Sequence, residues 1–514
     1  MVSRFLGLGR DMLVTAVFGT AALASSFYTA FTLPNLFRRL LGEGALTAAF
    51  VPTLNEELKR RQRAGAFALV NSVTTWLFIV SATIVVIAMI ALLVAVEFAP
   101  QLTRWGVEAA TAQRWAEAAK LAVILFPYLI FVCLAAAFSA ALQTLHRFVE
   151  AALSPIWLNV AMISLLGGAA YAGWAGSAEE KMLWLCGGAL LGGLLQMIVP
   201  AIALTREGWR PRVDLTFSDP LRQIVRLMGP TVFGSAIYLI NISVSKIIGL
   251  ALNDSAVAIL NLATRLMELP IGVFAVAVST VIFPLISKHA AGGDWNSLAM
   301  SYRKGMRLIL VINVPAAVGL GILAEPIIRL LFERGAFSAA DTEMMQPVLI
   351  VFAVGLPFFS FVSIVLRAFY AQKDTTTPVH AALASFGVNI AVSLALMGPL
   401  GTVGLAIASN VAVVVQAVYL QVKLARMRDG LEFRHVRGDL MKILVAAAIM
   451  GAMVGGAWWG WTRWVAVSKL NDGIGLLVIM ALGVAVYGGI LWGWKIEGRD
   501  DLAAILIRFR RKSG

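Results

Sequence analysis

Apolar stretches of twenty or more residues recur from one end of this chain to the other. Residues 67–98 carry a single charge, Glu97. A helix needs about 20 residues to cross the hydrocarbon core of a bilayer, and only helices and closed barrels satisfy every backbone polar group there. Fourteen segments meet this test: 1–20, 24–52, 67–98, 119–144, 151–174, 181–204, 229–252, 256–286, 300–323, 343–370, 377–397, 402–425, 440–465 and 473–494. Composition agrees, with 60% hydrophobic and 14% charged residues, against about 25% charged in soluble domains. The chain therefore reads as an all-α polytopic membrane protein of about fourteen transmembrane helices. Segments 53–65, 105–118 and 214–227 read as interfacial, and 498–514 as a basic tail lying on the membrane surface.

The net charge of +14 does not point to nucleic acid, because the basic residues sit in short clusters between apolar stretches. Their distribution sets the orientation instead. With the N-terminus inside and fourteen crossings, the inner loops and tail hold 27 Lys and Arg and the outer loops 8, Arg114 among them. The positive-inside rule then places both termini in the cytoplasm. Cys133 and Cys186 each stand alone in an apolar segment, and His146, His289, His380 and His435 lack metal-ligand spacing.

Prolines suggest an internal repeat. Pro127 and Asn159 are separated by the same interval as Pro357 and Asn389, and Pro52 with Pro284, and Pro34 with Pro270, recur at a similar offset. The offset equals six spans, an even number, which implies two halves of the same topology, related by an axis along the membrane normal. The expected organisation is an N-lobe at 1–215 (spans 1–6), a C-lobe at 216–430 (spans 7–12), a pair of appended helices at 431–497 and the tail at 498–514.

Seven bases fall inside these spans: Arg4, Arg10, Arg38, Arg39, Lys246, Arg265 and Arg367. Only Asp11, Glu43 and Glu268 are comparable acids. A charge at the bilayer centre costs about 2.5–3.5 kcal/mol on the most lenient scale and marks a functional interior. The basic excess suits an anion. Arg10 precedes Asp11 in a glycine-bearing stretch, so the two can hold each other until an anion competes. Arg38 and Arg39 follow Pro34 by about a turn, and paired guanidinium groups suit bidentate phosphate binding. Arg265 and Glu268 stand i, i+3 and can share one helix face. Glu43 and Arg367, at similar depth in opposite lobes, are the expected gate pair on the cytoplasmic side. The bland alternatives are a cytoplasmic anchor at the N-terminus for Arg4 and Arg10, headgroup snorkelling for Arg38 and Arg39, and a structural ion pair for Arg265. Gly451 and Gly455 fit small-xxx-small helix packing, and Trp458, Trp459, Trp461 and Trp464 an interfacial belt.

Taken together, Ser3-Arg4-x-x-Gly7-x-x-Arg10-Asp11, Leu33-Pro34-Asn35-x-x-Arg38-Arg39, Glu43-Gly44-Ala45 with Phe50-Val51-Pro52, Arg265-Leu266-x-Glu268-x-Pro270-x-Gly272 and Phe369-Tyr370-Ala371 before Thr377-Pro378 resemble the MurJ (MviN) family of lipid II flippases, in the MOP exporter superfamily. The resemblance implies a transporter, not an enzyme. Its substrate would be the undecaprenyl-diphosphate-linked disaccharide-pentapeptide, moved from the inner to the outer leaflet of the bacterial cytoplasmic membrane by alternating access. It matches the family's cavity arginines to Arg4, Arg10, Arg38 and Arg265, its acidic neighbour to Asp11, and the last two spans to a groove for the lipid tail. Membrane lipids and the cell-wall synthesis machinery are the further expected partners. No Walker motif is present, so no cofactor is expected and a membrane potential or ion gradient is the expected driving force.

Two departures stand out. Many members carry Asp where this chain has Ser25, so a coupling role for that carboxylate does not transfer. The family pattern also places further residues before the Ser-Arg element, so an upstream start is an expectation. The rival readings are a flippase for another polyprenyl-linked saccharide, a MATE-like drug or metabolite antiporter, a membrane glycosyltransferase and a scaffold. The cationic interior speaks against the drug antiporter, and the short outer loops against the glycosyltransferase.

Overall fold

A computed structural model describes residues 2–38, 45–372, 374–427, 430–465 and 468–494. Among these there is no strand. In order, the helices are α1 (Val2–Phe18), α2 (Ala22–Arg38), α3 (Ala45–Phe98), α4 (Ala109–Leu125), α5 (Tyr128–Thr144), α6 (Phe148–Tyr171), α7 (Ala178–Arg206), α8 (Asp219–Leu252), α9 (Ala256–Ala291), α10 (Trp295–Ile322), α11 (Ala324–Phe332), α12 (Ala339–Ala371), α13 (Thr376–Met427), α14 (Arg437–Trp464) and α15 (Lys469–Gly493). The described parts of the predicted apolar segments lie on these helices. Eight helices among the described residues are individually long and apolar enough to cross a membrane, and α4 with α5 forms a further pair bent by 45° at Pro127.

Two helices contain breaks. α3 breaks at Gln62 (φ 56°), where nothing in the sequence marks a turn. α13 breaks at Gly401 (φ 55°), between the eleventh and twelfth predicted spans, in a conformation glycine adopts without steric cost. Local sequence explains several helix starts. Ser177 with Glu180, and Ser338 with Asp341, form reciprocal capping boxes that open α7 and α12.

Packing divides the chain into two compact units, one comprising 1–258 with 334–337, the other 259–333 with 338–514. The division lies one long helix beyond the 215/216 boundary read from the repeat, because α8 packs on α2, α3 and α4. In the first unit α6 packs closely on α7. A side chain at Gly188 or Gly192 would run into the backbone of Met162 or Leu158. The apolar part of α3 is only 17% buried and carries exposed Phe78, Ile87, Ile90 and Leu93, a surface suited to lipid. The loop 334–337 closes on the end of α1. The Ala336 N–H donates to the Ala16 carbonyl at 2.8 Å. Gly19 and Gly335, both at positive φ, make the approach possible, since a Cβ on Gly335 would lie 2.1 Å from the Ala16 oxygen.

The second unit is centred on α12, whose apolar window is 61% buried, packed with α10, α13 and α14. Tyr302 donates to Gln421 at 2.7 Å, Tyr487 to the Val311 carbonyl at 2.8 Å, and Arg307 bonds Asp439, tying α10 to its neighbours. Gly451 packs on Val318 and Ile322 of α10, so its small size serves helix approach as read. Trp459 and Trp464 are exposed as a belt requires, but Trp461 packs against Gly475 of α15.

Candidate functional site

The first charged group is built on α1 against α6. Adjacent residues on a helix point roughly 100° apart, yet Arg10 curls back along its own helix to Asp11. Its Nε and Nη2 both donate to Asp11 Oδ1, at 3.0 and 2.7 Å. Arg10 is 8% exposed and Asp11 0%. Arg10 Nη1 reaches Met162 Sδ on α6 at 3.9 Å. One turn from Met162, Asn159 donates to the Ser3 carbonyl at 3.4 Å and to Pro155 at 3.1 Å. Its Oδ1 is buried with no hydrogen-bond partner. Arg4, at the start of α1, is exposed.

Arg38 ends α2 and is half-buried. Pro34 lies inside α2 and deprives the Ala30 carbonyl of its helical donor. Around this gap Thr32 and Asn35 bond the carbonyls of Tyr28 and Phe31, at 2.6 and 2.9 Å. Aromatic contacts fix the helix: Phe31 meets Tyr128 at 5.6 Å and Phe37 meets Phe126 at 6.2 Å, on either side of Pro127. Arg38 therefore extends from a braced stem. Arg39 and Glu43 lie outside the described residues, and so does the expected Glu43–Arg367 gate pair.

The second unit holds Arg265 and Glu268 on α9. Arg265 Nη1 meets Glu268 Oε2 at 3.4 Å, with side chains 39% and 51% exposed. Arg367 is half-buried near the end of α12. Within each unit the structure thus joins Arg10 with Asp11 and Arg265 with Glu268. Guanidinium groups so held can exchange a carboxylate for phosphate, which offers the same bidentate oxygen geometry. Among the described residues no cluster of His, Cys, Asp or Glu could hold a metal ion.

Sequence reading missed two residues. Asn159 stood out only as a repeat marker. Arg114, counted among outer-loop bases, is 8% exposed in α4. Its partners are Asp254, Thr111 and the carbonyls of Leu250 and Ala251.

Long apolar helices bearing buried, paired charges define a multi-pass membrane transporter, and the fold agrees. It superposes on a multidrug-resistance MATE transporter of the MOP superfamily in an inward-facing conformation with a TM-score of 0.66 and 14% identity, over 83% of this chain and 95% of that one. It superposes on "Lipid II flippase MurJ, inward closed conformation" with a TM-score of 0.74 and 24% identity, over 98% of each chain. A family profile described as "Lipid II flippase MurJ" matches residues 14–472. The probable lipid II flippase of Rhizobium tropici is 34% identical over 88% of this chain and 84% of its own length. That of Haemophilus influenzae is 32% identical over 92% and 91%. The chain belongs to the lipid II flippase MurJ family.

Proposed function

We propose that this protein flips lipid II from the inner to the outer leaflet of the bacterial cytoplasmic membrane by alternating access, with both termini in the cytoplasm. Arg4, Arg10, Arg38, Arg39 and Arg265 bind the diphosphate, and Asp11 and Glu268 hold the key guanidinium groups while no substrate is present. Glu43 and Arg367 form the cytoplasmic gate, and α14 with α15 takes the lipid tail. The observation that carries this reading is the buried Arg10–Asp11 pair in a family member. A charge pair in an apolar helix is costly, and an anion that must cross the membrane gives it a use.

Energetics favour the direction. Moving one charge through 100 mV is worth about 2.3 kcal/mol, so a dianionic headgroup leaving a negative interior gains roughly twice that. The membrane potential or an ion gradient is the driving force in this reading. Exchange of carboxylate for phosphate also limits how tightly the substrate is held and lets it go. Membrane lipids supply the setting, and the cell-wall synthesis machinery on the outer face consumes the product.

The test is flipping of labelled lipid II in proteoliposomes, with complementation of a host depleted of its own flippase. Wild type transports, whereas Arg10→Ala and Arg265→Ala do not. Normal flipping by both variants overturns the clamp. Transport of a different polyprenyl-linked saccharide in place of lipid II transfers the same mechanism to that substrate.

A further inference from the structure

Residues 210–217, Arg-Pro-Arg-Val-Asp-Leu-Thr-Phe, alternate polar and apolar without exception. They join α7 to α8 and form no helix. Pro211 biases Arg210 toward extended backbone, and side chains along an extended chain alternate between two faces. Every main-chain group of this segment that α3 bonds comes from a polar, even-numbered position. Asn71 Nδ2 donates to the Arg210 carbonyl at 3.2 Å, and its Oδ1 accepts from the Arg212 N–H at 3.3 Å. Thr75 Oγ1 accepts from the Asp214 N–H at 3.1 Å, and Ser72 Oγ donates to the Thr216 carbonyl at 2.8 Å. At the two ends the Trp209 indole donates to Asn71 Oδ1 at 2.8 Å, and Phe217 meets Trp76 edge-on at 5.8 Å. The segment is strapped to α3 through its backbone, which leaves its side chains free for another task.

Those side chains are exposed. Val213 is 84% and Leu215 60% exposed, and Phe217, Arg210 and Arg212 are exposed as well. A run of bare apolar side chains marks a surface with a partner. The strap bonds α3 only between Asn71 and Thr75, about 6 Å of helix rise, so it lies across the helix. Asn71 follows Arg63 by just over two turns, about 12 Å, and Arg63 is the last charge before the apolar run that reaches Glu97. In a spanning α3, this is the level at which headgroups give way to acyl chains.

We propose that the strap is a binding surface for acidic phospholipid. Val213, Leu215 and Phe217 enter the acyl layer, as the apolar face of an interfacial segment does. Arg210 and Arg212, with Arg222 and Arg226 exposed in the first turns of α8, meet the headgroup phosphates. From 210 to 226 there are four arginines against two aspartates. Asp214 accepts from the Thr216 N–H at 2.9 Å, and Asp219 stands 3.7 Å from Arg222. The basic excess selects an anionic headgroup over a zwitterionic one. Assignment to the inner leaflet rests on the orientation proposed above.

The test uses Leu215→Cys carrying an environment-sensitive fluorophore, in a chain whose two buried cysteines are replaced by alanine. The protein is reconstituted in mixed phosphatidylcholine and phosphatidylglycerol vesicles. One lipid at a time carries bromine on its acyl chains, which quenches the fluorophore on contact. The expected result is quenching by brominated phosphatidylglycerol several-fold above its share of the mixture. Arg210→Gln with Arg212→Gln lowers it to that share, and Asn71→Leu, which unfastens the strap, does so with both arginines in place. Quenching by each lipid in proportion to composition overturns the headgroup preference. No quenching by either overturns the membrane contact, and cross-linking to another protein from a photoreactive residue in place of Leu215 then makes the strap a protein-docking site. Reaction of the unlabelled Leu215→Cys protein with an impermeant maleimide outside intact spheroplasts overturns the orientation, and the leaflet with it. The quenching is read without lipid II, so a protein that flips nothing fails the proposed function and still decides the strap.

Discussion

The Arg10–Asp11 and Arg265–Glu268 pairs join the same two chemical groups in opposite settings. In the first, two short hydrogen bonds converge on one oxygen of a carboxylate with no exposed surface. In the second, a contact of 3.4 Å spans partners that are each more than a third exposed. The difference teaches that one arginine meets its carboxylate buried in the fold and the other meets its own where solvent reaches both. A phosphate reaching Arg265 displaces a weak partner. One reaching Arg10 has to compete with a contact the helix depends on.

The sharpest way to break this contrast is Arg10→Ala. Removing one member of a buried pair costs about 3–5 kcal/mol, so both the melting temperature in detergent and flipping fall together. Arg10→Ala combined with Asp11→Asn restores the melt but not transport. If Arg10→Ala melts like wild type, the pair is not structural.

Arg265→Ala comes next. Exposed pairs contribute about 0–1 kcal/mol, so the melt barely moves while flipping is lost. An equal loss of stability would place Arg265 in the same class as Arg10. Glu268→Gln has a smaller effect of opposite sign. It releases Arg265 at a cost within the same 0–1 kcal/mol and tightens lipid II binding, measured by fluorescence titration. Weaker binding would show that Glu268 orients Arg265 instead of competing for it. The smallest effect is at Gly335→Ala, which undocks the loop 334–337 from Ala16. Hydrogen exchange at Ala336 rises while flipping changes little, and an unchanged exchange rate would show the contact survives a side chain there.

Much of this was legible in the sequence. Apolar length located the helices, and charged residues within them identified Arg10, Asp11, Arg265 and Glu268 before any contact was known. The gap between the predicted spans 377–397 and 402–425 fell on the break in α13 at Gly401. What escaped shares a physical cause. Arg114 sits among polar residues that read as interfacial, and two of its four partners are backbone carbonyls, which leave no pairing signature. Gln62 adopts a positive φ without the glycine or asparagine that announces one.

The clasp between Ala336 and Ala16 has a consequence for how this protein is mutagenised. Its bond joins main chain to main chain, so trimming neighbouring side chains to alanine leaves donor and acceptor in place. Only a substitution that adds atoms, at Gly19 or Gly335, disturbs it. A conventional truncation scan would pass over this junction in silence, and a scan that enlarges residues would find it at once.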